Sequence, residues 1–465
     1  MFMFKGRAKE LKKLSKLWQR DKFEMVIVYG RRRVGKTTLI NEFCKGKRTV
    51  FFAAIESSAE NNLISFSKSV FVADGKASQA SFDSYEALLM ELREMTKAER
   101  AVVVIDEYPY LANSEKSFSS LLQNMIDIYF KETKMFLILC GSSMSFMENQ
   151  VLGYESPLYG RRTAQFKIEP FDYRETASCY KTYTIEEKAL AYGVSGGIPL
   201  YVELLDGYES MKEAMLAEVF DKSAYLFEEP ENLLKQELRE TQNYNAIITA
   251  VATGSSRMNQ IATKTNLDTA LCTKYIKKLI ELGILRKESP IGEGLNVKPV
   301  YQLYDQMFRF WYRFVPSNMS AIVSERIVNT FDLAIGVHLS DYMGLTFEEM
   351  AKQYILYYDK NLPIDMGEIG QWWGNHSEDR KQVQIDIVVL SPDRKKAVFG
   401  ECKYKNALVD IDVLEHLIHV REAFPQQLTQ VYYYLFAKTG FTERLRERAL
   451  SDNIRLITLE EMLQK

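Results

Sequence analysis

Met25-Val26-Ile27-Val28-Tyr29-Gly30-Arg31-Arg32-Arg33-Val34-Gly35-Lys36-Thr37-Thr38 joins an apolar, β-branched run to a G-x-x-x-x-G-K-T turn. The turn has the residue types that a polyphosphate requires. Gly30 and Gly35 let the backbone curl so that its N–H groups point inward at phosphate oxygens. Lys36 reaches β- and γ-phosphates as a point charge, and the Thr37 hydroxyl is a natural Mg²⁺ ligand. Arg33, Val34 and Thr38 complete the candidate nucleotide-binding set. The run before the turn reads as a buried strand. Thr38-Leu39-Ile40-Asn41-Glu42-Phe43 after it starts a helix, whose N-terminus favours anions. The stretch predicts an α/β fold that binds ATP or GTP.

Size and composition bound the rest. A chain of 465 residues makes about three domains at roughly 150 residues each. Hydrophobic residues at 46% and charged residues at 26% fit globular domains with sizeable cores. A net charge of −2 excludes a chain that is basic throughout, so any nucleic-acid contact needs a local patch. The five cysteines are scattered without a C-x-x-C pair, and there are only four histidines. Buried thiols in a reducing compartment are expected, and a zinc or histidine metal site is not. The N-terminus turns charged too early for a signal peptide. No apolar run approaches the ~20 residues of a membrane span. These features predict a cytoplasmic protein with no membrane partner. No internal repeat or low-complexity segment interrupts the chain.

Outward from the phosphate turn, the next chemistry is Ala101-Val102-Val103-Val104-Ile105-Asp106-Glu107. Four β-branched residues indicate a strand buried on both faces of a parallel sheet. Its two acids then fall at the carboxyl end, where α/β sheets bind ligands. Asp106 suits the Mg²⁺ water shell and Glu107 suits polarising the attacking water. Met135-Phe136-Leu137-Ile138-Leu139-Cys140-Gly141-Ser142-Ser143 is a further buried strand ending in two hydroxyls. Tyr159-Gly160-Arg161-Arg162-Thr163 places adjacent arginines before another strand. Arg161 has two readings: a γ-phosphate contact, in cis or across an oligomer interface, or a surface residue paired with helix acids. Residues 59–97 read as a long polar helical region without legible chemistry.

Together with the entry Phe4-Lys5-Gly6-Arg7-Ala8-Lys9-Glu10-Leu11 and with Gly196-Gly197-Ile198-Pro199-Leu200, these motifs resemble the archaeal-type ATPase family of the AAA+/STAND group. The resemblance covers residues 1 to about 230. It implies a five-stranded parallel sheet of P-loop NTPase type in the order 5-1-4-3-2, an entry helix over the adenine, and a helical lid carrying Pro199. It also implies ATP as nucleotide and a polar sensor of the γ-phosphate at Ser142 or Ser143, which sequence does not separate.

Residues 233–290 carry nine Lys/Arg against five Asp/Glu. A short helix at Met258–Thr265, a turn ending in the N-cap Asp268, and a longer helix at 269–282 ending at Gly283 form a helix-turn-helix pattern. Ile284–Glu288 and Val300–Leu303 would be the strands of a wing. Thr269, Thr273, Lys274, Lys277 and Lys278 project from the second helix, either toward DNA or against the nucleotide domain.

After an aromatic stretch at Met307–Phe314, the last 130 residues read helix, three strands, helix, strand. The second and third strands carry Asp386 and Glu401-Cys402-Lys403. Alternation puts Glu401 and Lys403 on one face, beside an acid on the neighbouring strand. Two carboxylates, Asp386 and Glu401, suit a Mg²⁺ ion. Lys403 suits positioning or deprotonating a water, and Glu348 on the preceding helix can complete the acidic cluster. This arrangement resembles the PD-(D/E)xK nuclease fold, with Ile385 in place of the proline. It also resembles the domain of unknown function that commonly follows archaeal-type ATPase modules. The expected domains are an ATPase core at 1–170, a lid at 171–232, a winged helix-turn-helix at 233–305, and a restriction-endonuclease-like α/β domain at 306–465. Two function classes follow, with a homo-oligomer or protein partner open in both. One is ATP-regulated binding and Mg²⁺-dependent cleavage of DNA or RNA. The other is a STAND-type ATP/ADP switch with an inert nuclease fold.

Overall fold

Five strands organise the first half of the computed structural model: β1 (Glu24–Tyr29), β2 (Thr49–Ala53), β3 (Val102–Asp106), β4 (Phe136–Gly141) and β5 (Ala164–Lys167). All pairings are parallel, in the order β2-β3-β4-β1-β5. This is the order that the family resemblance implied. β1, β3 and β4 are buried along their whole lengths. Alternation explains why continuous apolar runs are required there. Met25, Ile27, Val103 and Ile105 pack into one core cluster, and Val26, Val28, Val102 and Val104 into the cluster on the other face. The register Tyr29↔Gly141 and Ala53↔Asp106 aligns the strand ends that carry the motifs.

The described residues are 6–76, 81–292, 298–376, 381–450 and 453–464, so Phe4 and Lys5 of the entry motif lie outside them. Contacts divide the chain into two units, Met1–Pro170 with Ile198–Leu200, and Phe171–Gly197 with Tyr201–Lys465. The polar region at 59–97 resolves into two helices, Ala59–Ala73 and Tyr85–Ala98. Phe66, Val70, Leu88, Leu89 and Leu92 give them an apolar stripe that the charged composition disguised.

In the second unit, the segment expected as a lid packs with C-terminal residues. The Tyr173 hydroxyl donates to the Met462 carbonyl at 2.8 Å, and the Tyr342 hydroxyl to the Gly193 carbonyl at 2.6 Å. Buried tyrosines bring apolar area and a hydroxyl that needs a partner, which ties distant segments together. Helices Met258–Thr265 and Thr269–Glu281 meet at Asp268, which accepts from the Ala270 and Leu271 N–H groups, both at 2.9 Å. Beside them, β6 (Leu285–Glu288) and β7 (Val300–Leu303) form an antiparallel ribbon. Thr269, Thr273, Lys274 and Lys277 are exposed while Tyr275, Ile276 and Leu279 are buried.

The C-terminal sheet contains β8 (Glu368–His376), β9 (Lys381–Leu390), β10 (Lys396–Lys403), β11 (Gln430–Ala437) and β12 (Ile454–Thr458), in the order β12-β11-β10-β9-β8. β8, β9 and β10 are antiparallel neighbours, and β10, β11 and β12 are parallel. Helices Leu339–Tyr357 and Ile411–Glu422 accompany it. β12 and the helix before it extend the pattern beyond the strands read from sequence. Among the described residues, no helix is long and apolar enough to cross a membrane.

Candidate functional site: a phosphate loop and a separate acidic cluster

The loop after β1 is shaped by two glycines. A Cβ on Gly30 would lie 2.3 Å from the Ile168 carbonyl oxygen, so only glycine lets the loop pass the end of β5. Gly35 sits at φ +84, and the Pro199 ring is 3.8 Å from where its Cβ would be. Arg33 also adopts positive φ, Val34 is fully buried, and Thr38 is exposed at the start of the following helix. Arg7, for which the entry motif by itself suggests no separate role, donates to the carbonyls of Val34, at 3.1 Å, and Glu169. It braces the loop from beneath.

Lys36 Nζ donates to the Gly30 and Arg31 carbonyls at 2.9 and 2.8 Å, inside the curl of the loop. Burial pulls its pKa down, against the opposing pull of Glu107 and Asp106. Thr37 Oγ1 donates to Asp106 Oδ2 at 2.9 Å, so the two candidate Mg²⁺ ligands are adjacent. Glu107, in the left-handed region at φ 50, accepts from the hydroxyl of Ser142 at 2.9 Å. Ser142 is buried and bonded to this acid, which separates it from the half-buried Ser143.

Arg161 is not brought to this loop. Its guanidinium pairs with Asp127, with a shortest contact of 2.6 Å, and donates to the Pro157 and Tyr159 carbonyls. Thr163 N–H bonds the Met25 carbonyl, at the start of β1, whereas the loop follows the end of β1. The cis γ-phosphate reading is therefore corrected: parallel pairing of β5 with β1 puts this turn at the amino end of the strands, opposite the end that carries the loop. The surface pairing with a helix acid is what the structure contains.

The second constellation is built by β8, β9, β10 and helix Leu339–Tyr357. β8 and β9 change register between Gly370 and Trp372, so that Asp386 and Ile387 together oppose Gln371. Such a bulge redirects side chains locally. Asp386 Oδ2 accepts from the Cys402 N–H at 3.0 Å just beyond the last β9–β10 pair, Ile387↔Gly400. Glu401, 8% exposed, accepts from Lys403 Nζ at 2.5 Å. Glu348 accepts from Gln371 Nε2 at 2.7 Å.

Electrostatics ties the acids together. Burial, then the neighbouring charge of Asp386, pushes Glu348 up to about 8. Burial, then the charge of Glu401, pushes Asp386 up to about 7. Lys403 loses from burial but gains more from Glu401 and Asp386, so its pKa rises. The three acids within electrostatic reach form an oxygen donor set that fits a hard divalent cation, with the Lys403 ammonium beside it. Gln371 has no signal in the sequence, where a glutamine between Gly370 and Trp372 is unremarkable; only the shifted register shows its role.

Comparison with known proteins places these sites in context. Residues 4–205 match the model of an ATPase domain predominantly from Archaea. Residues 311–415 match a family described as archaeal and bacterial proteins of unknown function. An uncharacterized protein of Methanocaldococcus jannaschii is 32% identical over 415 residues, spanning 88% of this chain and 89% of its own. Among solved structures, a Walker-type ATPase of Pyrococcus abyssi superposes with TM-score 0.50 at 18% identity, covering 67% of this chain and 96% of its own. The ORC2 protein of Aeropyrum pernix, in ADPNP and ADP complexes, gives TM-score 0.47 at 14% identity, covering 70% and 96%.

Proposed function

The chain belongs to the family represented by the Methanocaldococcus relative, with an N-terminal ATPase domain of the predominantly archaeal kind, and on that premise we propose an ATP-hydrolysing protein that binds and cleaves nucleic acid. Lys36 and the loop amides hold the polyphosphate, and Thr37 with Asp106 would hold Mg²⁺. Glu107 orients the attacking water, with Ser142 positioning its carboxylate. Helix Thr269–Glu281 is read as the DNA-facing helix of a winged helix-turn-helix, supported by the exposure of Lys274 and Lys277.

The observation that carries the cleavage half is the grouping of Glu348, Asp386, Glu401 and Lys403 around buried carboxylates whose pKa values are raised. The order helix, three strands, helix, strand supports a PD-(D/E)xK relationship. Asp386 and Glu401 would hold Mg²⁺, and Glu348 would stand beside them. The cation would neutralise phosphodiester charge and acidify a bound water. Lys403, next to that position, would orient the water.

One observation favours a second reading. Lys403 is already paired with Glu401, which suits an inert fold in a STAND-type ATP/ADP switch that binds protein or DNA. Incubating purified protein with DNA and RNA, with and without ATP, Mg²⁺ and Mn²⁺, separates the two. Metal-dependent cleavage that disappears in Asp386→Ala supports the nuclease; intact substrates under every condition leave the switch.

A further inference from the structure

β8 is the edge strand of the C-terminal sheet, and its last residue, His376, is 3% exposed. Helix Ile411–Glu422 brings His419 and Glu422, three residues apart and so on one face, against it. One ligand atom from each of the three side chains lies within 4.8 Å of the other two. The imidazole centroids are 4.3 Å apart, and His419 Nδ1 is 3.8 Å from Glu422 Oε2. Five strand positions separate His376 from Gln371, roughly 17 Å at ~3.3 Å per residue. The cluster is therefore distinct from the acidic site.

We infer that His376, His419 and Glu422 form a second metal site, for a divalent ion of the zinc class. Two imidazoles and one carboxylate are the donors such ions take, and a hard Mg²⁺ ion takes oxygen ligands instead. Three protein ligands leave a fourth position to water. With metal–ligand bonds of ~2.0–2.1 Å, tetrahedral donors sit about 3.4 Å apart, so closure from within 4.8 Å needs a shift of up to about 1.4 Å. Glu422 is exposed at the helix end and can make that shift, while His376 is held in the strand. Ion binding would clip the sheet's edge strand to the helix beside it. The scarcity of histidines argued against such a site in the sequence; the fold assembles it from two of the four.

The alternative for this arrangement is two packed rings with a surface His419–Glu422 ion pair. Full-length protein carrying Asp386→Asn, which weakens the acidic site, is titrated with Zn²⁺ and with Co²⁺. One equivalent of each is expected, with tetrahedral Co²⁺ absorption bands and a raised Tm. His419→Gln and Glu422→Gln should each weaken Zn²⁺ binding at least tenfold while ATP affinity and circular dichroism stay unchanged. His376→Ala should do the same; should it fail to fold, the two helix variants decide. Absence of stoichiometric Zn²⁺ binding, or binding that survives both helix substitutions, overturns the site.

Discussion

Ser142 holds Glu107: its hydroxyl and its backbone N–H both donate to Glu107 Oε2, at 2.9 and 3.3 Å. The acid proposed to orient water is thereby pinned from the neighbouring strand. Removing the hydroxyl leaves the longer backbone bond. Ser142→Ala should lower kcat for ATP by about tenfold with little change in ATP affinity, since one hydrogen bond to a charged group is worth ~1.5–3 kcal/mol. Glu107→Gln should lower kcat by ~10²–10⁴-fold and keep binding. Steady-state turnover and calorimetry check both; undiminished turnover in Glu107→Gln would remove this residue from the chemistry.

Lys36 is buried with two loop carbonyls as acceptors, and a polyphosphate would replace them with charged oxygens. Lys36→Ala should weaken ATP binding by about a hundredfold or more, from the ~1.5–3 kcal/mol of each charge-assisted bond. Unimpaired affinity by calorimetry would refute the phosphate-loop assignment.

Arg161 is engaged by Asp127, whose carboxyl it holds below the ordinary range. The pair is partly exposed, so breaking it should cost no more than about 1 kcal/mol. Arg161→Ala should therefore leave turnover of dilute monomeric protein within about twofold. A large loss under those conditions would return Arg161 to the nucleotide site; a loss seen only at high concentration would point to action across an interface.

The acidic cluster predicts a pH signature. Glu348 and Asp386 have folded-state pKa values raised to about 8 and about 7, from ordinary values near 4. Each binds its proton more tightly when folded, so its stabilising contribution is full below pH 4 and is lost as pH rises through 7 to 8. The metal-free second unit should lose stability over that interval. Mn²⁺ or Mg²⁺ should offset the loss most at pH 8 and release protons on binding at pH 6–7. Melting curves across pH, and calorimetry in two buffers of different ionisation enthalpy, measure both effects. Asp386→Asn should flatten the pH dependence; binding without proton release would contradict the shared site.

Lys274, Lys277 and Lys278 lie on one stretch of helix, with Lys278 3.2 Å from Glu281. Replacing all three with alanine should weaken DNA binding and reduce its salt slope by up to ~0.9 for each phosphate no longer neutralised. Binding titrations at several salt concentrations report the slope. An unchanged slope would mean that the helix faces something other than DNA.

The sequence alone pointed to the parallel sheet, the phosphate loop and the candidate Mg²⁺ ligands Thr37 and Asp106, whose mutual hydrogen bond belongs to the fold. All three depend on local patterns: a β-branched run gives a buried strand, and a glycine-bounded turn after it gives a cradle. Asp386, Glu401 and Lys403 were legible for the same reason, because strand alternation is a local rule. Other features were decided by tertiary structure. That Ser142 and not Ser143 bonds Glu107 depends on which hydroxyl faces the end of β3, and Arg161 was carried away from the phosphate loop by the register of β5 on β1. Gln371 entered the acidic site only through a one-residue register shift, and His376 met His419 only because a helix packs beside the end of an edge strand. Register and packing join residues far apart in the chain. Residue type and spacing do not encode such pairings one segment at a time.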